Sequence, residues 1–500
     1  MPHLGDFGPE QVLMALTIFD GVAAIGADYA GHPYLAESIT PNEDLTEWTV
    51  KIRPGVTFAD GSPVDADAFK EIFDTYYTSE ESTFAGALEG VTATVVDPLT
   101  VTYSGMKPNA AFPETLATDW PFSPAAAAAA GDDAGLKPAG TGPFVVESFT
   151  PGEELTVTRN PAYWRKGLPY LDSIEFNVIA DDQTRLASFQ DGQLDAFVTS
   201  NPDTIQQSLA LQQEGKATVT MAESSNGFAI LYNTQRAPLD DVRIRRALTH
   251  AIDQSSFVTL RNGEGIVAPK NQLFGPSSPW YSEEVAASYP AFDPAAAAAL
   301  VEEYKNDPAR SDGKAVGEPV TVTYTCPRDP AQDDLNQFLA DSWTSIGVDT
   351  SWPAVDGNEF IFKVLGPLDG SERQFFGDFD AACWALGEQL FDPGNWLAEW
   401  FGQPAASMIV NVTDFEDPQF AADLDALRSE TDPAARKAIM DRIGLLLNTE
   451  LPNAWLSSNP VAIVARPELK NLDGWTLPDG SPGFGVVDGV TFLSQVWLEQ

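Results

Sequence analysis

Two separate β-α-β series in one chain of 500 residues, joined by strand-like connections, predict an α/β protein of two lobes. Length points the same way, because single hydrophobic cores stop growing at roughly 250–300 residues. The composition is globular, with 43 % hydrophobic and 11 % aromatic residues, and most of the aromatics belong in the core.

The elements follow in chain order. Leu13 to Ile25 is an apolar helical patch, and Trp48–Arg53 alternates as a half-buried strand does. Pro54-Gly55 and Ala59–Pro63 mark turns, and Asp65 stands in N-cap position ahead of the helical run Ala68–Phe73. Thr92–Val96 and Thr100–Tyr103 read as a hairpin around Asp97-Pro98. The alanine run 125–130 predicts a short helix and a loop without chemistry. Strands Phe144–Phe149 and Glu154–Arg159 lead into the first series: strand Ile174–Ile179, helix Thr184–Asp191, strand Ala196–Thr199, with a parallel sheet as its consequence. A compact strand Phe228–Asn233 and a helix Val242–Ile252 with Arg243, Arg245 and Arg246 come next. The second series runs Val320–Tyr324, helix Gln332–Ile346, Val348–Trp352, a helix near 358–364, and Phe379–Trp384. Helices Phe420–Glu430 and Ala434–Asn448, a strand Ala454–Ser458 and a Pro/Gly-rich tail complete the chain. Ligands in such folds bind at the carboxyl ends of parallel strands, and a cleft between lobes is the natural place.

Charge excludes some partners. Asp and Glu number 73 against 28 Lys and Arg, a formal charge of −45. Nucleic acid is excluded, since phosphate neutralisation needs clustered cations, and anionic membrane surfaces repel such a chain. The acids are dispersed, which suits a solvated, soluble, monomeric protein. No apolar run reaches the eighteen or so residues needed to span a bilayer. Cys326 and Cys383 make neither a zinc constellation nor a disulfide framework. Both fall near ends of predicted strands, and buried free thiols and a cross-strand bridge are both open. Free thiols are preferred, because bridging demands specific Cα and Cβ geometry.

Three ordered blocks resemble family 5 of the bacterial extracellular solute-binding proteins, the peptide- and nickel-binding group of ABC importers. The first joins Pro33-Tyr34-Leu35-Ala36-Glu37-Ser38 to the run from Trp48 through Arg53-Pro54-Gly55 to Asp60-Gly61. The second is Gly140-Thr141-Gly142-Pro143-Phe144 with Arg159-Asn160-Pro161-Ala162-Tyr163-Trp164. The third is Tyr232-Asn233-Thr234 with Pro238 to Leu248 and Ala251-Ile252-Asp253. The resemblance covers nearly the whole chain. It implies a two-lobed type II periplasmic-binding-protein fold with an additional β-rich subdomain in lobe one. On that plan lobe one is 1–34, 166–233 and 456–500, the β-rich subdomain 35–165, and lobe two 234–455. Arg159 and the arginines at 243–246 are expected to pair with acids and not to touch ligand.

The resemblance also implies a site. In peptide-binding relatives an acid shortly after the Trp of a lobe-two strand meets the ligand's α-amino group. Here the segment is Cys383-Trp384-Ala385-Leu386-Gly387-Glu388-Gln389-Leu390-Phe391-Asp392-Pro393, and Asp392-Pro393 resembles the family's acid-Pro pair. The spacing from Trp384 is longer than in those relatives, so Gly387 or Glu388 stands where the amino-binding acid belongs. Trp384, Ala385, Gly387, Glu388 and Asp392 are the candidate ligand contacts on this side. Backbone near Ala385 and Asn226-Gly227-Phe228 is expected to hydrogen-bond an extended peptide by strand addition.

Function classes separate on this basis. The expected protein is an extracytoplasmic binding protein, periplasmic or a cell-surface lipoprotein. It captures di- or oligopeptides by hinge closure, delivers them to the transmembrane subunits of an ABC permease, and needs no metal or cofactor. An oligosaccharide is the alternative ligand, with Trp384, Trp396 and Trp400 as stacking surfaces. A cleft hydrolase is the other class: His3, His32 and His250 accompany no nucleophile motif, and no phosphate-cradling loop occurs. Nickel is disfavoured for want of a His-rich cluster. Relatives begin with a signal peptide and a first strand leading into a Leu-Asp-Pro-type turn. Pro2-His3-Leu4 looks like the residues after that turn, so a leader and first strand are expected to be missing from this chain.

Overall fold

The computed structural model describes residues 9–79, 88, 90–329, 332–365, 377–387, 393–402 and 411–499. They form two compact units: described residues up to 223 with those from 460 onward, and described residues between 224 and 459.

The first unit is built on antiparallel sheets. Ala36–Pro41, Glu47–Ile52, Thr100–Ser104 and Thr92–Asp97 lie in that order in a four-stranded sheet. The alternation seen in sequence at Trp48, Val50 and Ile52 is the buried face of this sheet, with Trp48 opposite Tyr103 and Val50 opposite Val101. Asp65 caps the helix Ala66–Ile72 by accepting the Ala68 N–H at 2.9 Å, which satisfies one of the first-turn donors. The alanine run forms the helix Pro124–Ala130, capped by Ser123. Phe144–Thr150, Glu154–Arg159 and Ser173–Asn177 form a three-stranded antiparallel sheet.

The parallel sheet expected around Ile174–Thr199 does not form. Ser173–Asn177 pairs antiparallel with Glu154–Arg159, and Ala196–Thr199 pairs antiparallel with residues 462–465. The strand-helix-strand rhythm was present, but rhythm sets spacing and not direction. Ile174-Glu175-Phe176-Asn177 alternates apolar and polar, as a sheet with one wet face requires, whereas parallel strands are buried on both faces.

The second unit does contain the parallel series. Val320–Thr325 pairs parallel with Val348–Ser351, Val320 opposite Val348, with the helix Asp333–Ser345 between them in sequence. On its other side it pairs parallel with Ala381–Gly387, Tyr324 opposite Ala381 and Thr325 opposite Ala382. Ala381–Gly387 in turn runs antiparallel to residues 226–232. Ile230, Tyr232, Val322, Tyr324 and Ala382 are all buried here, with Trp343, Ile244 and Val301 from flanking helices in the same core.

Two strands are much longer than their sequence signal. Thr218–Tyr232 has 15 residues and Asn453–Ala465 has 13, and each runs through a change of unit, at 223/224 and 459/460. The sequence places these changes after 233 and before 456. The polarity of Glu223-Ser224-Ser225-Asn226 hides the first half of one strand.

Arg159, Arg243 and Arg245 pair with acids, as expected. Arg159 pairs with Asp172 at 2.8 Å, and Arg243 with Asp241, Glu303 and Asp307. Arg245 lies 3.8 Å from the Glu450 carboxylate, but it is buried and its closest contacts are donations to the backbone carbonyls of Leu239, Glu450 and Leu451 at 2.6–3.1 Å, and Arg246 donates to Thr449 O. A guanidinium has five N–H donors in a planar fork, so carbonyls where the chain turns can hold it as well as a carboxylate does.

Candidate functional site

The strand Ala381–Gly387 carries most of the predicted contacts. Its entry is fixed by a polar clamp. Thr323 N–H donates to Asp380 Oδ2 at 2.7 Å, Asn233 N–H donates to Asp380 O at 2.9 Å, and Arg236 bridges Asp378 and Asp380 at 3.0 and 2.8 Å. Burial pushes the Asp378 carboxyl up, but hydrogen bonds from Arg236 and Lys363 outweigh it and hold the group below its usual range.

From this anchor the strand brings predicted residues together. Asn226 stands opposite Gly387, Gly227 opposite Leu386, and Phe228 opposite Ala385 in one antiparallel ladder. The backbone segments named as peptide partners are therefore partners of each other. Trp384 is half-buried, its ring 5.7 Å from Phe360 and 5.7 Å from Trp400, while Ala385 is exposed. Phe228 packs edge-on against Phe257 at 5.2 Å. Glu388 and Asp392 lie outside the described residues. Trp396 and Trp400 are buried at 4 % and 8 % exposure, which takes them out of a sugar-stacking wall and leaves Trp384 as the half-buried one of the three.

The decisive feature is the edge of this strand. Its parallel ladder with Val320–Thr325 ends at the pair Thr325 and Ala382. Among the described residues, no strand pairs with Trp384–Gly387 on the side away from Asn226–Ala229. Leu386 and Gly387 are buried and the Leu386 carbonyl accepts from Lys270, so it is at the half-buried Trp384 and the exposed Ala385 that this edge can offer N–H and C=O groups to another extended chain.

Two features were not legible in sequence. Cys326 and Cys383 are bridged, with Cα atoms 5.3 Å apart, inside the normal range for a disulfide. This corrects the free-thiol preference: the parallel register that sets these residues side by side was invisible before the strands were paired. The second is Lys270, 7 % exposed, with Nζ 3.4 Å from Leu386 O and 5.3 Å from the Trp455 ring centroid. Gly227 makes room for it, since a Cβ there would stand 2.7 Å from Lys270 Cδ and 2.6 Å from Ser457 O. The only hint in sequence is a glycine inside a strand, a common mark of close approach.

A small apolar crevice, with about 10 Å³ of cavity volume, lies elsewhere in the second unit, lined by Phe274, Trp280, Leu397, Met440 and Trp455 among others. None of the predicted contacts lines it. Among the described residues no group of three metal-ligating side chains occurs, and no helix is long and apolar enough to cross a membrane.

An α/β chain whose two units share two long strands has the build of a two-lobed binding protein. A family model described as bacterial extracellular solute-binding proteins, family 5 middle, matches residues 31–408, and the chain belongs to that family, whose members are the solute-binding components of ABC importers. A glutathione-binding protein, GsiB, from Salmonella paratyphi A is 28 % identical over 493 residues, covering 95 % of this chain and 89 % of the relative. The solved structure of AgaA from A. tumefaciens R10, in complex with agropinic acid, superposes with a TM-score of 0.78 at 20 % identity over 99 % of this chain and 95 % of that one. NikA from Brucella suis, in complex with Fe(III)-EDTA, gives 0.76 at 22 % identity over 96 % of each chain. At those identities the two structures speak to fold alone.

Proposed function

We propose that this protein captures short peptides outside the cytoplasmic membrane and presents them, chemically unchanged, to an ABC permease. The observation that carries the reading is the edge at Trp384–Gly387, which no further strand among the described residues pairs. A peptide main chain is a ligand that can add there as a further strand, and pockets for alternate side chains then confer selectivity. Trp384 supplies an apolar wall for one ligand side chain. Glu388 is assigned to the ligand's α-amino group on its place in the sequence after Trp384, where an ammonium entering a binding cleft needs a carboxylate to pair with. The glutathione-binding relative supports a small peptide-like ligand over a sugar.

The test is calorimetric titration with a pool of cysteine-free di- and tripeptides and, separately, a pool of short oligosaccharides. Peptide binding should raise the melting temperature by mass action. Trp384→Ala should weaken binding by about 2 kcal/mol, as loss of a buried aromatic anchor does. Glu388→Gln should cost about 2–5 kcal/mol for an ammonium left unpaired. Binding of the sugar pool and not the peptide pool, or recovery of chemically altered peptide, refutes the proposal.

A further inference from the structure

The disulfide lies in register with the end of a ladder. Tyr324 faces Ala381 and Thr325 faces Ala382, and the next pair in the same parallel register is Cys326 and Cys383, where a covalent bridge stands. The residue after Cys326 is Pro327, which has no N–H with which to extend the ladder. The chain then veers to the other side. Arg328 stacks over the Trp352 ring with its Cζ 3.3 Å from the centroid and donates to Trp352 O at 3.0 Å, and the Trp352 indole N–H donates to Cys326 O at 3.0 Å. So the proline ends the pairing, the Arg328–Trp352 stack draws the departing chain aside, and the disulfide is the last tie between the two strands. The unpaired edge begins one residue later, at Trp384.

We propose that the Cys326–Cys383 disulfide is a positioning cross-link for the ligand-binding edge. It holds Trp384–Gly387 in the extended geometry that an added peptide strand requires, in place of the hydrogen bonds that the neighbouring strand gives up. Rigid presentation matters because ordering a loose edge at the moment of binding subtracts from affinity. The sulfurs sit on buried residues, Cys326 at 1 % and Cys383 at 8 % exposure, so the bridge acts from within the unit and does not itself meet the ligand. This inference rests on the peptide-edge reading for its purpose but not for its geometry, and the two fail separately.

The experiment compares the whole chain with Cys326→Ala/Cys383→Ala and Cys326→Ser/Cys383→Ser. If neither variant folds, the folded wild type reduced by a water-soluble phosphine takes their place. Two readouts are taken: calorimetric affinity for a cysteine-free tripeptide pool, and site-resolved amide hydrogen exchange without ligand. The expected result is an affinity loss of about tenfold or more, with exchange at Cys383–Gly387 accelerated at least about tenfold more than in the helix Val242–His250. A purely structural bridge would speed exchange in both segments alike, and that outcome overturns the proposal, as does unchanged affinity in a variant lacking the bridge. If the wild type binds no tripeptide, the peptide reading falls, and the exchange comparison alone decides whether the cross-link positions the edge.

Discussion

Asp20 offers the sharpest quantitative test of the electrostatics in the first unit. Its side chain is 1 % exposed and accepts hydrogen bonds from the Trp164 indole at 2.6 Å and the Tyr163 hydroxyl at 3.1 Å. Burial is the largest influence and pushes the carboxyl up to about 7, against the Trp164 and Tyr163 hydrogen bonds and the charge of Arg165. The unfolded chain releases this proton near 3.8. Between those values folding takes up a proton, so the contribution to stability is complete below the unfolded value and is lost as pH rises toward about 7. Each unit is worth about 1.4 kcal/mol, so from pH 5 to the plateau the loss amounts to about 3 kcal/mol. Asp20→Asn mimics the protonated acid: the amide oxygen accepts from Trp164, whose indole only donates, and the amide N–H donates to Tyr163, whose hydroxyl can accept. The variant should exceed the wild type's stability by about 2 kcal/mol at pH 5 and by about 4 kcal/mol above pH 7.5, a rise of about 2–3 kcal/mol whose lower bound allows for relaxation around the ionised group. Urea denaturation at fixed ionic strength from pH 5 to 8.5 measures this. Asp119 is also pushed up to about 7 by burial, and taking the difference between variant and wild type cancels its contribution. A difference independent of pH, or a variant less stable at pH 8, refutes the reasoning.

Three further outcomes follow from the geometry. Arg245→Met should destabilise the second unit by about 3 kcal/mol in denaturant titration, because it strips donors from the carbonyls of Leu239, Glu450 and Leu451 at about 1–3 kcal/mol for each buried group left unpaired. Gly227→Ala should cost about 1–3 kcal/mol, since the added methyl meets Lys270 and the Ser457 carbonyl inside contact distance, and the loss reads out as a lower melting temperature. Removing the disulfide frees a loop of 57 residues in the unfolded chain. On loop-closure entropy that costs about 4 kcal/mol, to be checked by denaturation with and without reductant.

Much of the architecture was legible because it is local. Asp65 ahead of Ala66–Ile72 is a cap whatever surrounds it, and the Trp48-Val50-Ile52 alternation identifies a one-faced strand before its partners are known. The second β-α-β series could be read because its strands carry apolar runs at helix-separated spacing, and those strands pair in parallel. The first series misled, since the partners of Ser173–Asn177 and Ala196–Thr199 come from elsewhere in the chain, as far away as residues 462–465. Of the candidate site, Trp384, Ala385 and Gly387 do share a strand, and Asn226-Gly227-Phe228 is its direct neighbour.

By itself the sequence determined the class, an acidic two-unit α/β chain of a solute-binding family, because turn residues, caps, hydrophobic periods and ordered motif blocks are written within a few residues of one another. Only tertiary structure decided which strands pair and in which direction, that Cys326 meets Cys383, that Gly227 yields its space to Lys270, and that among the described residues no strand pairs with Trp384–Gly387 on one side. Each of these depends on contacts between residues far apart in the chain. Such contacts are chosen by the packing of whole faces, and one segment read alone does not say which distant segment it will meet.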